Sequence, residues 1–265
     1  MSHVLTELDG ATAIITLNRP DKHNAFDDAL IAELTSQLQA IDQIAAVRAV
    51  VLSATGKSFS AGADLNWMKR MAGYTQAENA ADAAALATLM STLHQLSKPT
   101  IARVQGAAYG GGVGLIACCD MAVGTHDAAF SLSEVRLGLI PAVISPYVIA
   151  AIGERAARRY FLTGERFDAA EGYRLGLLSE LCNSEDDMDV MIEDLLAAIM
   201  ASGPNAIGEA KLLITSVANQ SITESLINDN AQRIAKVRVS VEGQEGLQAF
   251  IQKRNPTWAT TSKKE

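Results

Sequence analysis

The chain has 265 residues, 49% of them hydrophobic and 20% charged, and carries a net charge of −8. That length and balance exclude a disordered chain and leave room for one large domain or a domain with an appendage. The acidic surplus argues against a nucleic-acid partner, which needs a concentrated basic surface; the only basic end, Lys263-Lys264, is diluted by Glu265.

No apolar run is long enough to span a bilayer, and Met1-Ser2-His3-Val4 has no basic region leading into an apolar one, so a cytoplasmic protein with no membrane partner is expected. Three cysteines are an odd count, with Cys118 and Cys119 adjacent in an apolar segment, which points to reduced, buried thiols. His3, His23, His94 and His126 share no ligand spacing, and no metal is expected.

In chain order, residues 11–17 read as a strand closed by the polar turn Asn18-Arg19-Pro20-Asp21-Lys22. Asp27 or Asp28 can cap the next helix, whose Leu30, Leu34, Leu38 and Ile41 share one face. Residues 47–54 form a buried strand, 55–64 a loop, and Leu86, Leu89, Met90, Leu93 and Leu96 an apolar helical stripe leading to Pro99. A third strand runs from Pro99 to Gly106, the glycines at 110–112 turn the chain, and Val113 to Cys119 read as a buried helix. Short strands follow at 121–123 and 129–132. Beyond Pro141 the pattern is helical at 150–163, 169–175, 188–201, 205–219, 223–239 and 242–253, interrupted by a strand-like 177–181. Strand-helix alternation up to about residue 135 specifies an α/β domain with largely parallel strands, and the late helices must bury their apolar residues elsewhere, as against another subunit.

Three stretches carry candidate chemistry. A glycine-lined helix start at Gly110-Gly111-Gly112 offers unpaired N–H groups to an anion, or to a carbonyl that becomes one, which is half of an oxyanion hole. The same glycines also suit tight helix packing, and Gly112-x-Gly114-x-x-Ala117 with Glu134 further on matches a dinucleotide fingerprint, though at an internal position and several residues past its strand. The loop Lys57 to Met68 leaves the second strand with small residues at Ala61, Gly62 and Ala63 that expose a backbone N–H; it also reads as a plain turn with Asp64 as helix cap. Glu134 is a lone carboxylate in an apolar segment: either a helix-start residue or partner of Arg136, or a general acid and base if it faces an apolar pocket.

These motifs, with Asn18-Arg19-Pro20, Asn24-Ala25, Val104-Gln105-Gly106, Cys119-Asp120, Phe130 to Pro141, Glu245-Gly246, Ala249-Phe250 and Lys253-Arg254, resemble the enoyl-CoA hydratase/isomerase (crotonase) superfamily over essentially the whole chain. Residues 131–146 and 156–161 look most like bacterial methylglutaconyl-CoA and carboxygeranoyl-CoA hydratases, and the dinucleotide reading recedes. The resemblance implies a spiral of ββα turns over residues 1–200 that holds the acyl-CoA site, and a helical oligomerisation region over 201–265 that builds a homotrimer or a dimer of trimers. It implies an oxyanion hole from the N–H groups of Ala63 and Gly111, with Glu134 as acid and base. It assigns a coenzyme A groove to Lys22, His23, Ala25, Ala61, Ala63, Asp64, Leu65 and Asn66, with Phe250 and Lys253 reaching a neighbouring subunit's ligand. No separate cofactor is implied, since coenzyme A is part of the substrate.

The chain departs from the family's two-glutamate pattern: Gly114 stands where hydratases commonly carry the second one, and is expected to leave room for water or an acyl substituent. A glycine-rich loop of many members here reads Ala142-Val143-Ile144-Ser145-Pro146. Hydration of a branched or carboxylated enoyl-CoA is the leading expectation. A Δ3,Δ2-enoyl-CoA isomerase using Glu134 alone and a non-catalytic acyl-CoA-binding protein are the alternatives.

Overall fold

The computed structural model describes residues 2–259; the expected basic end at Lys263-Lys264 lies outside them. They fall into two compact units, one of residues 2–96 with 100–193, the other of 97–99 with 194–259.

In the first unit, β1 (Val4–Asp9) and β2 (Thr12–Leu17) make an antiparallel hairpin through Gly10, whose φ of +56° suits glycine. β3 (Ala49–Ala54), β5 (Thr100–Val104), β7 (Met121–Thr125) and β10 (Glu180–Cys182) add in parallel, giving a six-stranded sheet in the order β1-β2-β3-β5-β7-β10. β3 is buried at all six positions, which is why its sequence, apart from Ser53, is apolar throughout and not alternating. A second sheet holds β4 (Ser58–Ser60), β6 (Ala107–Tyr109) and β8 (Ala129–Ser131) in parallel, closed by antiparallel β9 (Arg166–Asp168).

The chain therefore lays a strand in the larger sheet, a strand in the smaller one, then a helix, and repeats. The helices are α1 (Asp28–Asp42) before the first turn, α2 (Leu65–Met71) and α3 (Gln76–His94) after β4, α4 (Gly111–Cys118) after β6, and α5 (Ser145–Thr163) after β8. α6 (Ala169–Leu175) follows β9, and α7 (Glu185–Ala201) leads into the second unit. This is the expected ββα spiral. Asp27, not Asp28, caps α1 by accepting from Leu30 N at 2.9 Å, and Leu30, Leu34, Leu38 and Ile41 are all buried.

The structure corrects several boundaries. β1, β4, β6 and β9 were not expected, α4 begins at Gly111 and not at Val113, and the strand expected at 177–181 lies at Glu180–Cys182. α5 starts at Ser145 and is broken at Gly153, where φ is +76° and ψ 156°.

Buried polar side chains fasten the loops at the ends of β2, β3 and β5. Asn24, fully buried, donates through Nδ2 to Thr55 O at 2.8 Å and Ser58 O at 2.9 Å and accepts from Arg19 N at 2.8 Å. Gln105 Nε2 donates to Ala54 O at 2.9 Å and Gly56 O at 3.0 Å. Each satisfies carbonyls that would otherwise be buried unpaired.

The second unit holds α8 (Pro204–Val217), α9 (Glu224–Arg238) and α10 (Val241–Ile251). Thr223 and Ser240 cap the last two, and Glu242 accepts from Asn205 N and Ala206 N at the start of α8. Large apolar side chains on this unit are exposed, among them Ile214 (66%), Val241 (90%) and Phe250 (85%).

Candidate active site

The site begins at Phe26. Its N–H donates to Gly62 O at 2.6 Å and its carbonyl accepts from Asp64 N at 2.7 Å, a one-residue parallel bridge to Ala63. In such a bridge the intervening residue points its own N–H away from the partner strand. Ala63 is exposed, and no acceptor among the described residues takes its N–H.

The ring of Phe26 reaches the second loop: a methyl group on Gly111 would stand 2.9 Å from Cε2. One on Gly62, whose φ is +82°, would stand 3.0 Å from Tyr109 O and 4.0 Å from Gly110 N. The two loops therefore touch through glycine backbone, which is the reason side chains are missing there. Gly110, at φ 50° and ψ −117°, turns the chain into α4 while its N–H donates to Ser131 O at 2.9 Å. Gly111 is the first residue of α4, so its N–H has no acceptor within the helix and sits at the positive end of the dipole.

Glu134 opens a short 3-10 helix, Glu134–Leu137, after β8. Its Oε1 would meet a methyl group on Gly110 at 3.0 Å, so the carboxyl lies against the start of α4. Oε2 is buried with no hydrogen-bond partner. Burial pushes the Glu134 pKa above the ordinary 4.5, with a hydrogen bond to its own backbone opposing in part. Among the described residues it makes no ion pair with Arg136, whose Nε instead packs near Gly164, 3.1 Å from where a methyl group there would sit. Glu134 is thus a helix-start residue, as one reading had it, and its carboxyl is also partly desolvated.

Gly114 requires a correction. A methyl group there would lie 2.2 Å from Ile144 Cγ2, 2.9 Å from Ile144 Cβ and 3.2 Å from Met90 Cε, so the expected open room is filled by Ile144.

The expected coenzyme A loops are adjacent. Lys22 ends a 3-10 turn, His23 (φ 51°) accepts from Ala61 N at 2.9 Å, and the Ala25 carbonyl accepts from Arg19 at 2.9 Å. Asp64 caps α2, accepting from Asn66 N at 2.7 Å and Trp67 N at 3.2 Å, and pairs with Arg19 at 3.4 Å. Burial raises its pKa, but the two amides and the guanidinium outweigh burial and hold it below the ordinary value. Leu65 (73% exposed) and Asn66 face outward beside Ala63. Phe250 and Lys253 lie in the second unit, Phe250 exposed at the end of α10 and Lys253 just past it at φ 54°.

Arg19, Phe26 and Ile144 were not read as site residues. Arg19 ties the two loops by pairing with Asp27 at 2.7 Å and Asp64, an arrangement only tertiary structure creates.

The family described as enoyl-CoA hydratase/isomerase matches residues 7–261. Escherichia coli 2,3-dehydroadipyl-CoA hydratase is 30% identical over 97% of this chain and 98% of its own. Two solved structures superpose closely: an enoyl-CoA hydratase from Shewanella pealeana (46% identity, TM-score 0.94, 97% and 96% of the two chains) and Pseudomonas aeruginosa AtuE (35%, 0.93, 97% and 99%). The chain belongs to the enoyl-CoA hydratase/isomerase family. In this crotonase-type fold the site joins a carboxyl with one buried, unpartnered oxygen to a glycine-built helix start, next to an apolar filler where a side chain at 114 would stand.

Proposed function

We propose that the protein adds water across the 2,3-double bond of an enoyl-CoA whose acyl group is branched or carboxylated, as in methylglutaconyl-CoA, within leucine, isovalerate or terpenoid breakdown. The observation that carries this reading is Glu134: a carboxyl with one oxygen buried and unpartnered, placed at Gly110 immediately before the free N–H of Gly111. The sub-family resemblance of residues 131–146 supports the acyl group.

In this mechanism the thioester oxygen accepts from the N–H groups of Ala63 and Gly111. Glu134 as carboxylate takes a proton from water while the water oxygen bonds to C3 and the π electrons move through C2 onto the thioester oxygen. The enolate then collapses and takes the proton from Glu134 at C2, which leaves the 3-hydroxyacyl-CoA and the carboxylate regenerated. Donors fixed before reaction stabilise the enolate without reorganisation, each by about 3 kcal/mol. The raised pKa of Glu134 brings its two protonation states closer in energy at working pH, which suits a group that must accept and return one proton.

Lys22, His23, Ala25, Ala61, Asp64, Leu65 and Asn66 would hold coenzyme A largely by backbone, and Phe250 and Lys253 would reach a neighbouring subunit's ligand in a cytoplasmic homotrimer or dimer of trimers. The exposed apolar residues of α8, α9 and α10 support that assembly. The residue chemistry also supports an isomerase, since one carboxyl can take a proton from C2 and return it at C4. A panel of 2-enoyl-CoA esters that includes 3-methylglutaconyl-CoA separates the two: hydration removes the conjugated absorbance, whereas isomerisation of a 3-enoyl ester creates it. Loss of absorbance with at least one ester is expected, and absorbance unchanged with every ester tried would overturn the hydratase reading.

A further inference from the structure

Arg19 stands in the turn after β2 and reaches three acceptors. Its Nη1 pairs with Asp27 Oδ2 at 2.7 Å and donates to Ala25 O at 2.9 Å, and its Nη2 donates to Asp64 Oδ2 at 3.4 Å. The three charged side chains are largely buried: 13% of Arg19, 16% of Asp27 and 8% of Asp64 is exposed. Charges withdrawn from water to this degree are kept only where they are paired.

Each aspartate divides its two oxygens. Asp27 Oδ1 accepts from Leu30 N at 2.9 Å at the start of α1, and Asp64 Oδ1 accepts from Asn66 N at 2.7 Å and Trp67 N at 3.2 Å at the start of α2. The Oδ2 of each faces Arg19, so one guanidinium joins the caps of two helices. Between those caps lies the Phe26–Ala63 bridge: Ala25 and Asp27 flank Phe26, and Asp64 follows Ala63. The base of this clamp is itself fixed, because Arg19 N donates to Oδ1 of buried Asn24 at 2.8 Å and Asn24 Nδ2 donates to Ser58 O at 2.9 Å.

We propose that Arg19 is a positioning residue for the reaction: by holding Asp27 and Asp64 on either side of the Phe26–Ala63 bridge, it aims the N–H of Ala63 at the thioester oxygen. This rests on the acyl-CoA reading above and deepens it. A donor stabilises developing charge only where it already points, and a displacement of about 1 Å can cost about a hundredfold in rate. Lysine does not substitute for Arg19, since an ammonium is a point charge without the planar fork that meets two carboxylates and a carbonyl at once.

The carbonyl of a bound saturated thioester reports the aim of its donors without turnover. Wild type, Arg19→Lys and Asp64→Asn are loaded with butanoyl-CoA labelled isotopically at the thioester carbonyl, and its stretching band is read by difference infrared spectroscopy. Affinity for the same ester is measured calorimetrically, together with kcat, KM and Tm. Asp64→Asn keeps a side-chain oxygen to cap α2 and removes the charge that faces Arg19, so it reads the same contact should Arg19→Lys fail to fold. Wild type is expected to lower the band below that of the ester free in solution. In the variants the band is expected to return towards the free value and kcat to fall by about tenfold to a hundredfold, while KM and butanoyl-CoA affinity change by less than about threefold. A band that stays at its wild-type position in the variants makes Arg19 a structural clamp only, whatever happens to Tm, and overturns the proposal. A band not lowered in wild type removes the oxyanion hole and this inference with it. If the band behaves as expected while no 2-enoyl ester is hydrated, the hydratase reading falls and the role of Arg19 stands.

Discussion

A carboxyl oxygen buried without a partner is a standing cost to the fold, and at Glu134 that cost depends on pH. Burial raises its folded pKa above the ordinary 4.5. For a group raised in this way, the folded state is most favoured while the group is protonated, below 4.5, and loses that advantage as pH rises through the folded value. Glu134→Gln keeps the shape and removes the charge. Its Tm should therefore match wild type at pH below 4.5 and exceed it at neutral pH, as thermal scans across pH will read; a variant less stable than wild type at neutral pH would show that the carboxyl is not desolvated. A residue retained at the expense of stability is one that function needs.

At the scale of elements, the site depends on short backbone contacts between loops far apart in sequence. Gly62→Ala places a side chain at φ +82°, 3.0 Å from Tyr109 O. The left-handed conformation alone costs about 1–2 kcal/mol, each kcal/mol being worth about 2–4 °C in a protein of this size. Tm should fall accordingly, and because Ala63 is the next residue kcat should fall more than KM rises; an unaltered kcat would detach this loop from the chemistry. These dependencies explain what the sequence revealed. α1, β3 and the apolar stripe of α3 were legible because periodicity is a local signal, and Glu134, Ala63 and Gly111 drew notice as candidates because they sit in ordered motifs. β4, β6 and β9 were not: each has three residues and owes its existence to partners elsewhere in the chain. Gly114 looked like open space since Ile144, which fills it, lies in another segment.

At the scale of the whole molecule, the second unit leaves Ile214, Ile222, Val239, Val241 and Phe250 exposed, an amount of apolar surface that a lone chain of this charge would not be expected to carry. Sedimentation should give a mass that is a multiple of three 28.1 kDa chains, and Phe250→Asp should lower both that mass and the affinity for acyl-CoA; a wild-type monomer that binds acyl-CoA with full affinity would refute the assembly and the role of Phe250 together. Catalysis is tested most directly by following the conjugated absorbance of a 2-enoyl-CoA with wild type beside Glu134→Gln. Rapid loss of absorbance is expected with wild type and a rate lower by about 10²–10⁴ in the variant, with saturated acyl-CoA binding retained. Near-full turnover by Glu134→Gln would contradict the acid and base role of Glu134.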